Sequence, residues 1–224
     1  MADDCCSRKG DTIAELALKK DQRRVLVIVM AINAAMFAIE FGAGVVAQSS
    51  ALMADSVDML GDAFVYALSL FALSRGARWE AGAALAKGGV ILAFGIGIIG
   101  ESIFKIANGV TPSSTIMLIF SGIALAANLS CLALLWRFRH VNVNMSSTFE
   151  CSRNDVASNI GVLSAGALVA WLVSPWPDIL VGLGIAFLFL RSAIRVLTSA
   201  WPEWRRHAPA TAAGLDRVSR DARR

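Results

Sequence analysis

The chain has 224 residues, 56% of them hydrophobic, and its 21 Lys and Arg against 17 Asp and Glu give a formal net charge of +4. Its mean hydropathy of +0.61 is too high for a soluble domain of this size. The composition therefore predicts an all-α, multi-pass membrane protein that contacts lipid and has no nucleic-acid partner. Four cysteines are too few to suggest a disulfide framework.

Six apolar runs follow the charged N-terminal residues, and each is long enough to cross a bilayer as a helix. The predicted spans lie near residues 25–47, 50–73, 81–106, 114–136, 146–173 and 177–199. They define a transmembrane domain over residues 25–199, between an N-terminal tail at 1–24 and a short C-terminal tail at 200–224.

Positive charge alternates between the two ends of these spans. Lys and Arg crowd both tails and two connections, which carry Arg75, Arg78, Arg137 and Arg139, whereas the other three connections carry none. Lys and Arg are enriched in cytoplasmic segments. The sequence therefore predicts that both tails are cytoplasmic, in the cell (inner) membrane, and an even number of spans agrees with this.

The second span carries three aspartates, Asp55, Asp58 and Asp62, in the stretch ADSVDMLGD at residues 54–62. An ionised carboxylate in hydrocarbon costs about 3 kcal/mol or more, so these residues are expected to have a function. Asp58 and Asp62 share a helix face, where two like charges repel unless a cation or a proton lies between them. Asp55 is interpreted as hydrogen-bonded to another helix.

The fifth span opens with a second group of polar residues, in the stretch FECSRNDVASN at 149–159. Cys151 and Asp155 repeat the four-residue spacing of the second span. Two helices that each offer two ligands one turn apart can enclose a tetrahedral ion, and thiolate and carboxylate both suit Zn²⁺. Glu150 is interpreted as a local ion pair with Arg153. The predicted metal ligands are Asp58, Asp62, Cys151 and Asp155, and the candidate supporting residues are Asp55, Glu150 and Asn154.

These motifs, with Asn33 and Glu40 in the first span, resemble the cation diffusion facilitators, a family of divalent-metal/proton antiporters. That family has six spans, cytoplasmic termini and a (His or Asp)-xxx-Asp motif in spans two and five. The resemblance covers residues from about 25 to 200. It implies proton-coupled efflux of a divalent transition metal by alternating access, with no enzyme activity and no cofactor other than the transported ion. Zn²⁺ or Cd²⁺ is the favoured cargo.

The chain departs from the family pattern at Cys151, where the family usually has His or Asp. A thiolate softens the site, which favours Cd²⁺ and, to a lesser extent, Zn²⁺. The cytosolic C-terminal domain that many members use for dimerisation is also missing, so the sequence is interpreted as a short member. Its expected homodimer would form through the membrane region.

Two further features have an open interpretation. Cys5 and Cys6 are either reduced thiols on a tail or a site that picks up a soft metal ion. Gly89, Ala93 and Gly97 recur every four residues in span three, a spacing that lets membrane helices approach closely. This stripe packs either within one subunit or against a second copy.

Two other functions would also place acidic residues within a membrane. An intramembrane metal-dependent lipid-head-group transferase also clusters aspartates, but its Asp-xx-Asp-Gly-xx-Ala-Arg pattern is absent here. A proton-coupled exporter of organic cations would use an aromatic-lined cavity around one acid. Four converging small ligands fit a bare ion better.

Overall fold

The computed structural model describes residues 2–71, 77–141 and 143–206, with residues 2–18 described by their backbone alone. The elements within these ranges are α1 (Ala2–Ala47), α2 (Ser50–Phe71), α3 (Ala77–Asn108), α4 (Ser114–Trp136), α5 (Val143–Leu172) and α6 (Trp176–Arg206). No strand occurs in this part of the chain, so the predicted all-α fold is confirmed. Residues 2–24 of the predicted tail are continuous with the first helix, and residues 207–224 of the other tail lie outside the described ranges.

Five of these helices, α1 and α3 to α6, are long and apolar enough to cross a membrane. The sixth, α2, is less apolar because it carries Asp55, Asp58 and Asp62. Large apolar side chains such as Ile96, Ile103 and Phe187 are exposed on the outside of the bundle. Exposed tryptophans lie near the helix ends, at Trp136, Trp171, Trp176 and Trp201. Tryptophan is enriched at the two membrane–water interfaces. The protein is therefore a multi-pass membrane protein.

Helix α2 lies at the centre of the bundle, in contact with α1, α3, α5 and α6. Helices α3 and α6 form a close pair because glycines on α3 leave room for leucines on α6. A Cβ atom added at Gly88 would lie 2.8 Å from Leu197, and one added at Gly95 would lie 2.9 Å from Leu190. Close approach at small residues is a common way for helices to associate in lipid. The central position of α2 explains how its aspartates avoid lipid.

The start of α2 is fixed by a carboxylate from α6. Asp178 accepts hydrogen bonds from the backbone N–H groups of Ser50 and Ala51, at 2.9 and 3.1 Å, and from the Ser49 hydroxyl at 2.5 Å. The first N–H groups of a helix have no partner within the helix, and its N-terminus favours negative charge. Asp178 therefore caps α2 from another helix.

A lysine from α3 completes this arrangement. The Nζ atom of Lys105 lies 2.6 Å from Asp178 and 3.1 Å from the Ser50 hydroxyl, and it forms a longer ion pair with Glu101 at 3.4 Å. The Ser50 hydroxyl donates in turn to Glu101. Lys105 and Asp178 are 1% and 0% exposed, so this Lys105–Asp178 network is a buried ion pair with its hydrogen-bonding groups satisfied. It joins α2, α3 and α6 at the end of the bundle where α2 begins.

Candidate metal-transport site

Three predicted ligands converge between α2 and α5. One carboxylate oxygen from each of Asp58, Asp62 and Asp155 lies within 4.8 Å of the others, and no other such group of His, Cys, Asp and Glu occurs in the described part of the chain. Two oxygens bound to one tetrahedral Zn²⁺ at about 2.1 Å are about 3.4 Å apart. A movement of an ångström or so would therefore bring these carboxylates, called here the aspartate trio, into coordination.

The aspartate trio has few hydrogen-bond donors. The Tyr66 hydroxyl donates a hydrogen bond to Asp62 at 2.8 Å. The carboxyl groups of Asp58 and Asp155 lie within hydrogen-bonding reach of each other. Close carboxylates cannot all remain ionised without a proton or a cation. The arrangement is therefore suited to binding cations.

The trio opens onto a cavity of about 360 Å³ between α2, α3, α5 and α6. Lys87 of α3 lines this cavity and interacts electrostatically with Asp58 and Asp62, without an ion pair shorter than 4 Å. Asp62 and Lys87 lie at similar depths, since Asp62 is nine residues from the end of α2 and Lys87 is ten residues from the start of α3. Both therefore lie about 14 Å from the same end of the bundle. The amino group of Lys87 therefore lies near the trio, at the same depth in the bundle.

Cys151 lines the same cavity, but its sulfur is not within 4.8 Å of all three carboxylates. It interacts electrostatically with Asp62 and Asp155. Asn154, another predicted supporting residue, also lines the cavity. The role of Cys151 as a fourth ligand therefore stays a prediction.

The remaining predicted site residues have different surroundings. Glu150 forms the predicted ion pair with Arg153, at 2.6 Å, on the exposed side of α5. Asp55 accepts a hydrogen bond from Ser158 of α5 at 2.7 Å, which agrees with the predicted hydrogen bond to another helix. The side chains of Cys5 and Cys6 lie outside the described part of the structure, so metal pick-up by these residues stays a prediction.

Comparison with known proteins identifies the family. The model of the cation efflux transmembrane domain matches residues 26–203, most of the chain. The chain belongs to the cation efflux family, the cation diffusion facilitators. This is a family of transporters and not of enzymes, so the transferase alternative is wrong.

One curated relative is the cadmium, cobalt and zinc/H(+)-K(+) antiporter of Bacillus subtilis (strain 168), which is 26% identical to this cation efflux protein over 188 residues. The match covers 78% of this chain and 60% of the relative. The chain therefore spans less than two thirds of the length of that curated relative.

Three charged residues of this cation efflux protein were not predicted from the sequence: Lys87, Lys105 and Asp178. Each lies within or at the edge of an apolar span, and an ionisable residue in that position is by default a candidate for a functional or structural role. That rule would have selected all three. It would not have paired them, because Lys105 and Asp178 are 73 residues apart in the chain.

Proposed function

We propose that this protein exports a divalent transition-metal ion, Zn²⁺ or Cd²⁺, from the cytoplasm in exchange for protons. The observation that carries the proposal is the aspartate trio, three carboxylates within 4.8 Å of one another beside a cavity in a membrane bundle. The family match supports cation efflux, and the name of the Bacillus relative includes zinc, cadmium and protons.

The chemistry of the site supports a metal rather than an organic cation. The ligand atoms are close enough to bind one bare ion together, and carboxylate oxygens suit Zn²⁺. A thiol beside them favours Zn²⁺ and Cd²⁺ over hard ions such as Mg²⁺ and Ca²⁺, which prefer all-oxygen shells. Asp58, Asp62 and Asp155 would hold the ion, with Cys151 as the proposed fourth ligand.

Proton coupling follows from competition at the same groups. Ligands must lose their protons to bind a metal, so metal binding releases protons and protonation expels the metal. A site at mid-depth, reached alternately from the two sides of the membrane, would then use an inward proton gradient to drive metal out. When it is protonated, Lys87 would offset part of the negative charge of the trio while no metal is bound.

The proposed arrangement in the cell (inner) membrane has both termini in the cytoplasm and two copies of the chain in a homodimer. The Lys and Arg distribution supports the orientation. The stripe on α3 supports the dimer because Gly89 and Gly97 face no protein atoms within 4 Å of an added Cβ. It is therefore not used for packing within the described protomer.

The function is tested by metal uptake into proteoliposomes under a proton gradient. Asp58→Ala, Asp62→Ala and Asp155→Ala are each expected to abolish zinc flux, because each removes one member of the trio. Glu203→Gln is the matched control, since Glu203 pairs with Arg206 on the exposed end of α6. Normal flux in two of the three variants would refute the proposed site, and flux independent of the proton gradient would refute proton coupling.

A further inference from the structure

Another buried carboxylate, outside the aspartate trio, has no hydrogen-bond donor among the described residues. Glu40 of α1 is 0% exposed, and both of its carboxylate oxygens are buried without a hydrogen-bond donor among the described residues. Buried polar groups are almost always hydrogen-bonded, and an unpaired buried charge costs many kcal/mol. Glu40 therefore requires a proton or a cation.

The side chain that faces Glu40 is another acid. The carboxyl groups of Glu40 and Asp55 lie within hydrogen-bonding reach of each other, at similar depths on the antiparallel helices α1 and α2. One oxygen of Asp55 accepts from Ser158, and the other is buried and has no donor. Two carboxylates can only accept hydrogen bonds. A proton held between them would supply the missing donor.

No basic side chain neutralises this Glu40–Asp55 pair in the described structure. Helix α4, which packs on α1, contains no charged residue, and Lys105 on α3 is held by Asp178 and Glu101. Lys87 acts on Asp58 and Asp62. Besides Glu40, the titratable groups that interact electrostatically with Asp55 are Asp58 and Asp155, which belong to the aspartate trio.

We propose that the Glu40–Asp55 pair is a proton-binding site separate from the metal ligands, which holds one shared proton when the aspartate trio is empty and releases it when a divalent metal binds. The release has an electrostatic cause. Asp55 and Asp58 are three residues apart, about 4.5 Å along the axis of α2, so a divalent ion at the trio stabilises the second negative charge on the pair. This inference rests on the proposed metal transport.

A metal ion in place of the proton is disfavoured by the number of ligands. No third acid, cysteine or histidine in the described ranges joins Glu40 and Asp55, and one oxygen of Asp55 is already engaged by Ser158. Divalent ions in proteins use four or more ligands. A proton needs only the two facing oxygens that the pair provides.

The test measures protons released per zinc ion bound, by calorimetry of the purified protein in buffers that differ in ionisation enthalpy. Glu40→Gln is expected to lower this number by about one, while zinc affinity changes by less than about tenfold because the trio is intact. Asp55→Asn should have the same effect if Glu40→Gln fails to fold. The control Glu203→Gln should release as many protons as the wild type.

Infrared difference spectra measure the protonation of carboxyl groups independently of transport. The metal-free wild type should show carbonyl bands of protonated carboxyl groups that disappear on addition of Zn²⁺, and Glu40→Gln should lack one of these bands while it keeps those of the trio. Unchanged proton release in both variants, or the same set of carbonyl bands in Glu40→Gln as in the wild type, would overturn the proposal. If the wild type binds no metal, the proposed function fails, and the band in the metal-free protein still decides whether the pair holds a proton.

Discussion

Two of the groups of buried charge along α2, the Lys105–Asp178 network and the aspartate trio, differ in how they are satisfied. The Lys105–Asp178 network at the start of the helix has donors for its acceptors and one cation among its anions. The aspartate trio, about 12 Å further along the axis from Ser50 to Asp58, has three acids and the Tyr66 hydroxyl as its hydrogen-bond donor. The first group is complete within the protein. The second needs a cation from outside.

This difference distinguishes buried charges that stabilise the fold from buried charges that bind an ion. A satisfied buried network fixes the position of the helices that contribute to it. An unsatisfied cluster of like charges opposes folding unless an ion or proton binds, so its retention indicates a binding role. Sequence composition alone does not distinguish the two groups, because both appear as charged residues in apolar spans.

The largest expected effect comes from breaking the satisfied network. Asp178→Ala removes the cap of α2 and leaves Lys105 buried without its closest partner. Removing one member of a buried ion pair typically costs about 3–5 kcal/mol. Thermal unfolding of the detergent-solubilised variant should show a large loss of stability. An unchanged melting temperature would mean that the network contributes little to the fold.

The aspartate trio should respond to metal where the network does not. Zn²⁺ at 100 times its Kd is expected to stabilise the wild type by about 2.7 kcal/mol, seen as a rise in melting temperature. Asp58→Asn should abolish this rise without lowering the melting temperature of the metal-free protein, because it removes repulsion between like charges. A metal-dependent rise that persists in Asp58→Asn would place the metal elsewhere.

A substitution of Cys151 tests whether this residue is a ligand of the metal site. Cys151→Ser removes the soft donor with little change in volume and should lower cadmium affinity about tenfold more than zinc affinity, a difference of about 1.4 kcal/mol. Fewer protons should be released per metal bound if the thiol is a ligand. Equal, small losses for both metals by calorimetry would show that Cys151 only packs beside the trio.

The smallest effect on stability is expected on the outer face of α3, where neither group of charges contributes. A Cβ atom added at Gly97 would have no protein atom of the protomer within 4 Å, so Gly97→Leu should not change the melting temperature. If the stripe is the dimer interface, crosslinking should show less dimer. Gly95→Leu is the matched comparison, because its side chain would clash with Leu190 and destabilise the protomer itself. A dimer that Gly97→Leu leaves intact would place the interface elsewhere.

The sequence was sufficient for the helices and for part of the site. Apolar runs predicted the all-α membrane fold, since the length needed to cross a bilayer is a local property. The spacing of Asp58 and Asp62 predicted that they share a face, because helix geometry relates residues four apart. The approach of Asp155 to them was inferred from matching spacings and family resemblance.

The tertiary structure alone decided which charges are satisfied. Glu40 meets Asp55, Asp178 meets Lys105, and Lys87 approaches the trio because of how the helices rotate and pack, and glycines such as Gly88 and Gly95 permit part of that packing. These contacts join residues far apart in the chain, and helix periodicity does not specify the rotation of one helix against another. The sequence by itself determined that charges lie in the membrane, and the packing determined which of them still need a cation.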